Sequence, residues 1–538
     1  MKTGRRRSRQ AARVPQTTPA SRSAVSDLAA VVGLAALQLF VYSAVVRFGF
    51  VNWDDPEYVL NNEHVRAGLS WANVWWALTT AHTPYWHPLT WMSHMLDVSL
   101  FGVDAGPHHA INFVIATLNS VLVYVILRQA TGAIGRSLVV AALFVVHPLH
   151  VESVAWITER KDLLSTLFLC LTILAYIRYV RAPGVARYLL VLAMFVLALM
   201  AKPMVVTLPI LLLLFDVWPL GRLRWDAPPP DWIARIKEKA PLLALSAATA
   251  VVTIVIQSDV GAMADLESLG VAPRLATAIV GYAAYVRLTF WPIGLAAFYP
   301  PVPPATWVVA AAALMLAAIT VAAVYWRRSH PFVLAGWLWF VIGLLPVSGL
   351  LQAGDQAYAD RFMYVPILGP LFIVVWGLAA IAQRRPALTQ VLGPASALAV
   401  GTLAVLARAQ TATWADSRAL WEHALAVTDN NNRAHEKLAE ALRDAGEYSG
   451  ARTHYEHAIA LSPRASPRYI AQLRNGIGVT YAREGRPAEA ISALRTAVAL
   501  DGRFAEARLN LANALAQAGD AAGAENEFRE VVRLDPTL

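Results

Sequence analysis

Asp54 and Asp55 stand side by side in Trp53-Asp54-Asp55-Pro56-Glu57-Tyr58, directly after an apolar stretch over about residues 26–47. A carboxylate pair is costly to hold at a membrane boundary unless it works on something. The plain alternative is a solvated helix cap beside Pro56. A second cluster runs from His147-Pro148-Leu149-His150-Val151-Glu152 through Trp156 to Glu159, Arg160, Lys161 and Asp162. Ionisable groups so close to apolar spans either line a polar cavity or close on one another as an ion-pair network without chemistry. Lys202 precedes Pro203, and Asp360, Arg361 and Tyr364 lie in Tyr358-Ala359-Asp360-Arg361-Phe362-Met363-Tyr364. Cations and carboxylates on one face suit a substrate that releases a phosphate: Arg and Lys neutralise the leaving group while a carboxylate takes a proton from the acceptor.

The segment between these clusters, residues 50–108, is rich in aromatic and histidine residues: His82, Tyr85, Trp86, His87, His94, Asp97, Asp104, His108 and His109. Their spacings match no known ligand grammar, so neither a metal nor another cofactor is expected. Lining of a sugar or lipid-headgroup cleft is the expected use, with Tyr85 and His87 in it, beside a purely structural interfacial role. Ser70 is placed to cap a helix whose Trp71, Val74, Trp75 and Leu78 recur at i, i+3, i+4 and i+7, a helix lying at a lipid interface.

These residues are carried by a chain that is 57% hydrophobic and 15% charged, with a mean hydropathy of +0.47. Such values exclude an ordinary soluble domain and indicate a polytopic membrane protein. Apolar stretches at 26–47, 109–130, 137–156, 162–180, 187–201, 203–218, 239–257, 304–326, 331–351, 363–383 and 388–408 give about eleven crossings. The pair 187–201 and 203–218, interrupted by Lys202-Pro203, is alternatively one kinked span. Basic residues stay on the cytoplasmic side, which places Arg5, Arg6, Arg7 and Arg9 inside and the acidic pair outside. The alternation closes only if 275–293, with Arg287, Trp291 and Pro292, is an interfacial or re-entrant helix. The C-terminus is then outside. The first span reads as a signal anchor without a cleavage site. The single cysteine, Cys170, allows no intramolecular disulfide. The net charge of +9 comes from the membrane half and serves topology, so nucleic acid is not an expected partner.

The last part of the chain repeats with a period near 34 residues, the tetratricopeptide pattern of paired helices. Three copies align on Leu438, Gly446, Ala451, Tyr455 and Ala458; on Gly478, Tyr481, Gly485, Ala490, Leu494 and Ala497; and on Leu511, Ala512, Gly519, Ala524 and Phe528. The first spacing is longer, with Ser466-Pro467 read as an extended connection, and Leu420-Trp421 with Ala424 as a half-repeat against the membrane.

The fold class expected is therefore all-α: a polytopic transmembrane helical domain followed by a tetratricopeptide α-solenoid. Residues 1–25 are read as a disordered basic cytoplasmic tail, 26–409 as the membrane domain with its first outer loop at 50–108, and 410–538 as the repeats.

The runs WDDPEYVLNN, YWHPLT, LFGVDAGPHHAINF, HPLHVESVAWITERKDLLS and YADRFMYVP, followed by the repeats, resemble the transmembrane and tetratricopeptide-repeat O-mannosyltransferases and their bacterial relatives. The resemblance implies a glycosyltransferase of the C superfamily. Such enzymes take a sugar from a polyprenyl-phosphate donor on the outer or lumenal side, usually without a metal. It implies Asp54 or Asp55 as the general base that activates a Ser or Thr hydroxyl for inverting attack. It also implies a donor site shaped by His147, His150, Glu152, Glu159, Arg160, Lys161 and Lys202, with Arg361, beside Asp360 and Tyr364, holding the lipid phosphate. The implied partners are the donor, membrane lipid, and a protein or peptide acceptor recruited by the repeats. The implied place is a bacterial inner membrane, with site and repeats facing the periplasm. Two other classes fit the same features: a non-catalytic scaffold for envelope assembly, and a lipid-linked glycan polymerase or ligase.

Overall fold

The computed structural model describes residues 20–83, 85–259, 270–350 and 356–536. The basic residues Arg5 to Arg9, most of the expected 1–25 tail, and Leu351 at the end of the 331–351 stretch lie outside them. Every described element is a helix or a helical turn.

All eleven apolar stretches fall on helices, but among the described residues six helices are long and apolar enough to cross a membrane: Val25–Arg47, Ala105–Thr131, Ile157–Arg181, Ala240–Ser258, Thr306–Trp326 and Ala387–Ala412. Ile134–Val146 and Pro148–Ala155 make a seventh only as one span bent by 59°. Val185–Ala201, Pro203–Val217, Pro331–Val347 and Leu368–Arg384 are apolar but fall short of the ~20 residues a perpendicular crossing needs. The count of about eleven therefore rests on these short helices and is not established by helix length. Val271–Phe290, the segment kept from crossing, is a 20-residue helix that is not among the six.

The bend at His147-Pro148 has a local cause. Proline removes a backbone donor and breaks the helical ladder, which frees carbonyls that must find partners in an apolar surrounding. His150 Nδ1 lies 2.6 Å from the Phe144 carbonyl, and His147 Nδ1 accepts from Leu149 N at 3.3 Å. His147 Nε2 reaches the Thr289 carbonyl at 3.1 Å.

Polar contacts at both ends settle the path through 185–217. Lys202 Nζ meets Glu159 Oε2 at 3.2 Å. The Tyr176 hydroxyl donates to Asp216 Oδ1 at 2.9 Å. Glu159 and Tyr176 are separated by about 25 Å of helix at 1.5 Å per residue. The chain therefore climbs from Val185 to Ala201, turns at Lys202–Thr207 and descends, so 187–218 is two antiparallel legs and not one kinked span. Asp216 at the far end is buried and paired with Lys239 Nζ at 2.6 Å and Arg222 Nη1 at 2.9 Å.

Trp71–Thr79 forms as expected, with the Ser70 hydroxyl accepting from Asn73 N at 3.2 Å. Trp71, 90% exposed, and Trp75 project from one side of it. In the repeats, helices Asn432–Asp444 and Tyr448–Ala460, Pro467–Arg483 and Pro487–Leu500, and Ala505–Gln517 and Ala521–Leu534 pair in turn. Gly446, at φ +83°, makes the first inter-helix turn. The extra residues at Ser466-Pro467 are absorbed differently from expectation. Pro467 opens a 17-residue helix that Ser466 caps, so most of the longer spacing is helix and not extended connection.

The array is docked on the same end of the membrane helices as the acidic pair. Asn431 Nδ2 donates to the Phe298 carbonyl at 3.0 Å, His423 Nε2 lies 2.9 Å from the Leu295 carbonyl, and Trp156 stacks on Trp414 with centroids 5.7 Å apart.

Helices Pro331–Leu344 and Leu368–Arg384 touch backbone to backbone, because a Cβ on Gly369 would lie 2.2 Å from the Gly336 carbonyl oxygen. Small residues at such a crossing let two apolar helices gain contact that lipid cannot provide. Gly369→Ala is expected to force them apart and to lower stability by about 1–3 kcal/mol. Thermal unfolding in detergent is the check, and an unchanged midpoint would refute the tight crossing.

Candidate active site

Asp55 is a structural clamp. Its carboxylate is buried and accepts from Val51 N at 2.9 Å, Thr158 N at 3.1 Å and Thr158 Oγ1 at 2.5 Å. It precedes the helical turn Pro56–Leu60 but does not cap it with its side chain, so the cap reading fails for this residue. The bonds tie the first loop to the turn Ile157–Glu159. Burial raises the Asp55 carboxyl to about 6, against the opposing pull of the Thr158 hydroxyl and the two backbone donors.

Asp54 differs in exposure and partners. Its side chain is 40% exposed, it pairs with Lys161 Nζ at 4.0 Å, and it accepts no side-chain hydrogen bond among the described residues. Burial lifts its pKa above the ordinary aspartate value, while Lys161 and Arg361 pull it down. Glu57, one turn on, is also raised, by burial and then by the Asp54 charge.

Behind Asp54 lies a cluster of buried ions. Glu159 is 1% exposed and pairs with Lys161 Nζ at 3.1 Å, Lys202 Nζ at 3.2 Å and Arg361 Nε at 3.3 Å. Lys202 also pairs with Asp162, and Arg361 Nη1 with Glu152. The Arg361 backbone N–H donates to Glu152 Oε2 at 2.8 Å. Aromatic rings close the cations in: Lys161 Nζ stands 4.6 Å from the Tyr58 ring centroid, and both Lys161 and Arg361 face Trp156, at 5.4 and 5.5 Å. His87 stacks on the other side of this wall, parallel to Tyr58 with centroids 5.4 Å apart.

The structure thus brings together Asp54, Asp55, Glu152, Glu159, Lys161, Lys202 and Arg361, with His87 in the aromatic wall. It places the others elsewhere. Arg160 is fully buried and spends its donors on Asn112, Ser93, Asp97 and the His108 carbonyl, with Asp97 at 2.8 Å, so it locks the first loop to the helices. His147 and His150 serve the helix break. Asp360 accepts from the Tyr299 hydroxyl at 2.9 Å, and Tyr364 packs against His150 with centroids 4.7 Å apart. Tyr85 contributes its carbonyl to Thr83 Oγ1 at 3.2 Å and takes no part in the ion cluster. His94, Asp97 and His108, scattered by spacing, do meet with ligand atoms within 4.8 Å of one another. The Arg160 guanidinium already supplies the positive charge there.

Two contributors carried no signal in the sequence. Thr158 is an ordinary threonine in a charged run. The repeats also reach the site: Trp421 Nε1 donates to Asn52 Oδ1 at 2.7 Å, and Asn52 Nδ2 donates to the Lys437 carbonyl at 2.8 Å and to Glu440 Oε2 at 3.3 Å. Trp53 meets Trp421 edge-on with centroids 5.2 Å apart. The Lys437 charge acts on Asp54.

Residues 87–234 match the family model for dolichyl-phosphate-mannose-protein mannosyltransferase, and 430–503 and 476–538 match tetratricopeptide-repeat models. The chain is 25% identical to the human protein O-mannosyl-transferase TMTC1 over 491 residues, which cover 80% of this chain and 55% of the relative. It is 25% identical to human protein O-mannosyl-transferase TMTC4, covering 79% and 65%. With the Drosophila melanogaster protein O-mannosyl-transferase Tmtc2 it shares 30% identity over 34% of this chain and 21% of the relative. The chain spans a little over half the length of the first of these relatives. The resemblance read from the motifs, a mannosyltransferase-type membrane domain joined to tetratricopeptide repeats, is borne out by these matches.

Thr158→Val removes the hydroxyl that supports the Asp55 carboxylate. A hydrogen bond to a charged group contributes about 1.5–3 kcal/mol, and the bond counts most when Asp55 is ionised. Because the folded-state pKa is raised, the proton-linked contribution of Asp55 to stability is complete below about pH 4 and is lost as pH rises through about 6. The variant should therefore lose more stability at pH 7 than at pH 5 in thermal unfolding. Equal loss at both would contradict the clamp.

Proposed function

We propose, taking the likeness to the tetratricopeptide-repeat O-mannosyltransferases as the premise, that this protein is a membrane glycosyltransferase. It moves a sugar, mannose by that likeness, from a polyprenyl-phosphate donor to a Ser or Thr hydroxyl of a protein held by the repeats. Asp54 is the general base. What carries the assignment is the contrast within the pair: Asp55 is enclosed by three donors, whereas Asp54 keeps a partly exposed carboxylate beside Lys161. Asp54 takes the proton of the acceptor hydroxyl as its oxygen bonds to the anomeric carbon. The bond from that carbon to the phosphate oxygen breaks on the opposite face, which inverts the configuration. The leaving phosphate is neutralised by Lys161 and Arg361, whose charges are held in place by Glu159 and Glu152. The site and the repeats then face the outer or lumenal side, as the basic loops suggest.

Purified protein offered polyprenyl-phosphate mannose and an acceptor-protein extract gives the test. Asp54→Asn is expected to lower the rate by about 10²–10⁴-fold with thermal stability retained. Asp55→Asn is expected to lower stability as well, because an amide cannot match three donors. Full transfer by Asp54→Asn sinks the base assignment.

The pH profile is an independent check. Burial raises the Asp54 pKa, so activity should fall on acidification through a midpoint above the ordinary ~3.9 of aspartate. A profile flat down to about pH 4 would exclude Asp54 as the base.

A further inference from the structure

His435 lies on helix Asn432–Asp444, and His454 and His457 lie three residues apart on its antiparallel partner Tyr448–Ala460. Their ligand atoms all lie within 4.8 Å of one another. The Nδ1 atoms of His435 and His454 are 2.9 Å apart, and the His457 ring stands edge-on to His435 with centroids 5.1 Å apart. We propose that His435, His454 and His457 form a binding site for a divalent transition metal of the zinc class, which staples the two helices of the first repeat.

Geometry carries the proposal. Zinc bonds imidazole nitrogen at about 2.0–2.1 Å, so tetrahedral ligand atoms stand about 3.4 Å apart. The observed 2.9 Å pair needs only small ring rotations to reach that spacing. Two Nδ1 atoms this close share at most one proton between two lone pairs, and a metal replaces that proton. The chemistry agrees: imidazole nitrogen is an ordinary ligand of zinc. Three imidazoles leave a fourth position to water. The site is half-open to solvent, which gives a metal an entry path. The buried triad His94, Asp97 and His108 differs, because Arg160 occupies its charge balance.

The staple is placed to matter. Lys437 and Glu440, on the same helix as His435, hold Asn52 beside the acidic pair. Metal at this repeat therefore stiffens the helix that roofs the candidate active site, and this inference does not depend on which reaction occurs there.

The test uses the full chain in detergent without an affinity tag, stripped with chelator, loaded with Zn²⁺ alone, desalted and assayed for bound zinc. Wild type is expected to keep about one zinc per chain, and His454→Gln and His457→Gln are each expected to bind at least about tenfold more weakly. His94→Gln is expected to bind as wild type. Co²⁺ substituted at the site should give the intense visible bands of tetrahedral coordination. Wild type that retains no zinc overturns the proposal. So does zinc retained equally by His454→Gln and His457→Gln, or lost only in His94→Gln.

Discussion

One buried carboxylate, Glu159, is shared by Lys161, Lys202 and Arg361, which come from three separate stretches of the chain. An isolated charge in an apolar interior is costly, and a buried ion survives only where partners and hydrogen bonds replace water. None of the three cations could stay at its depth alone. Each segment is therefore committed to the same point: the start of the helix running to Arg181, the turn after Ala201, and the turn before Leu368. Glu152, Glu159 and Asp162 are the buried partners of the three cations, and Asp54 stands partly exposed beside Lys161 at the mouth. Asp55, through Thr158, hangs the first loop on that assembly.

The repeats are part of the same unit. Asn52, immediately before Trp53 and Asp54, satisfies both its side-chain amide and its carbonyl on the repeat array, and its backbone N–H donates to Ser417 Oγ at 2.9 Å. The first loop and the repeat array thereby share one support. This gives a physical reason for a soluble-type array to be joined to a membrane domain.

Much of this was legible in the residues. Helical periodicity and apolar length marked the helices, and the 34-residue period with its small residues marked the repeats, because both reflect local geometry repeated many times. The members of the ion cluster were legible because charged residues beside apolar spans stand out. What the residues could not convey was partition among like candidates. Arg160 and Lys161 are neighbours, yet a helix turns them about 100° apart, one into the Asp97–Asn112 lock and the other toward Asp54. Asp54 and Asp55, also neighbours, separate because Asp55 is held by Val51 and Thr158 while Asp54 faces Lys161. The docking of Asn52 on Lys437 joins positions 385 residues apart, and no local pattern encodes it. Thr158 was invisible because its hydroxyl matters only through a partner in a different segment.

The most direct measurement is a structure of the protein with a non-transferable polyprenyl-phosphate sugar bound in a lipid bilayer. The account requires the phosphate within contact distance of Lys161 Nζ and the Arg361 guanidinium, with the sugar's anomeric carbon between the phosphate and Asp54. A phosphate bound at the opposite end of the helices, by Arg222 and Lys239, or an anomeric carbon turned away from Asp54, would contradict it.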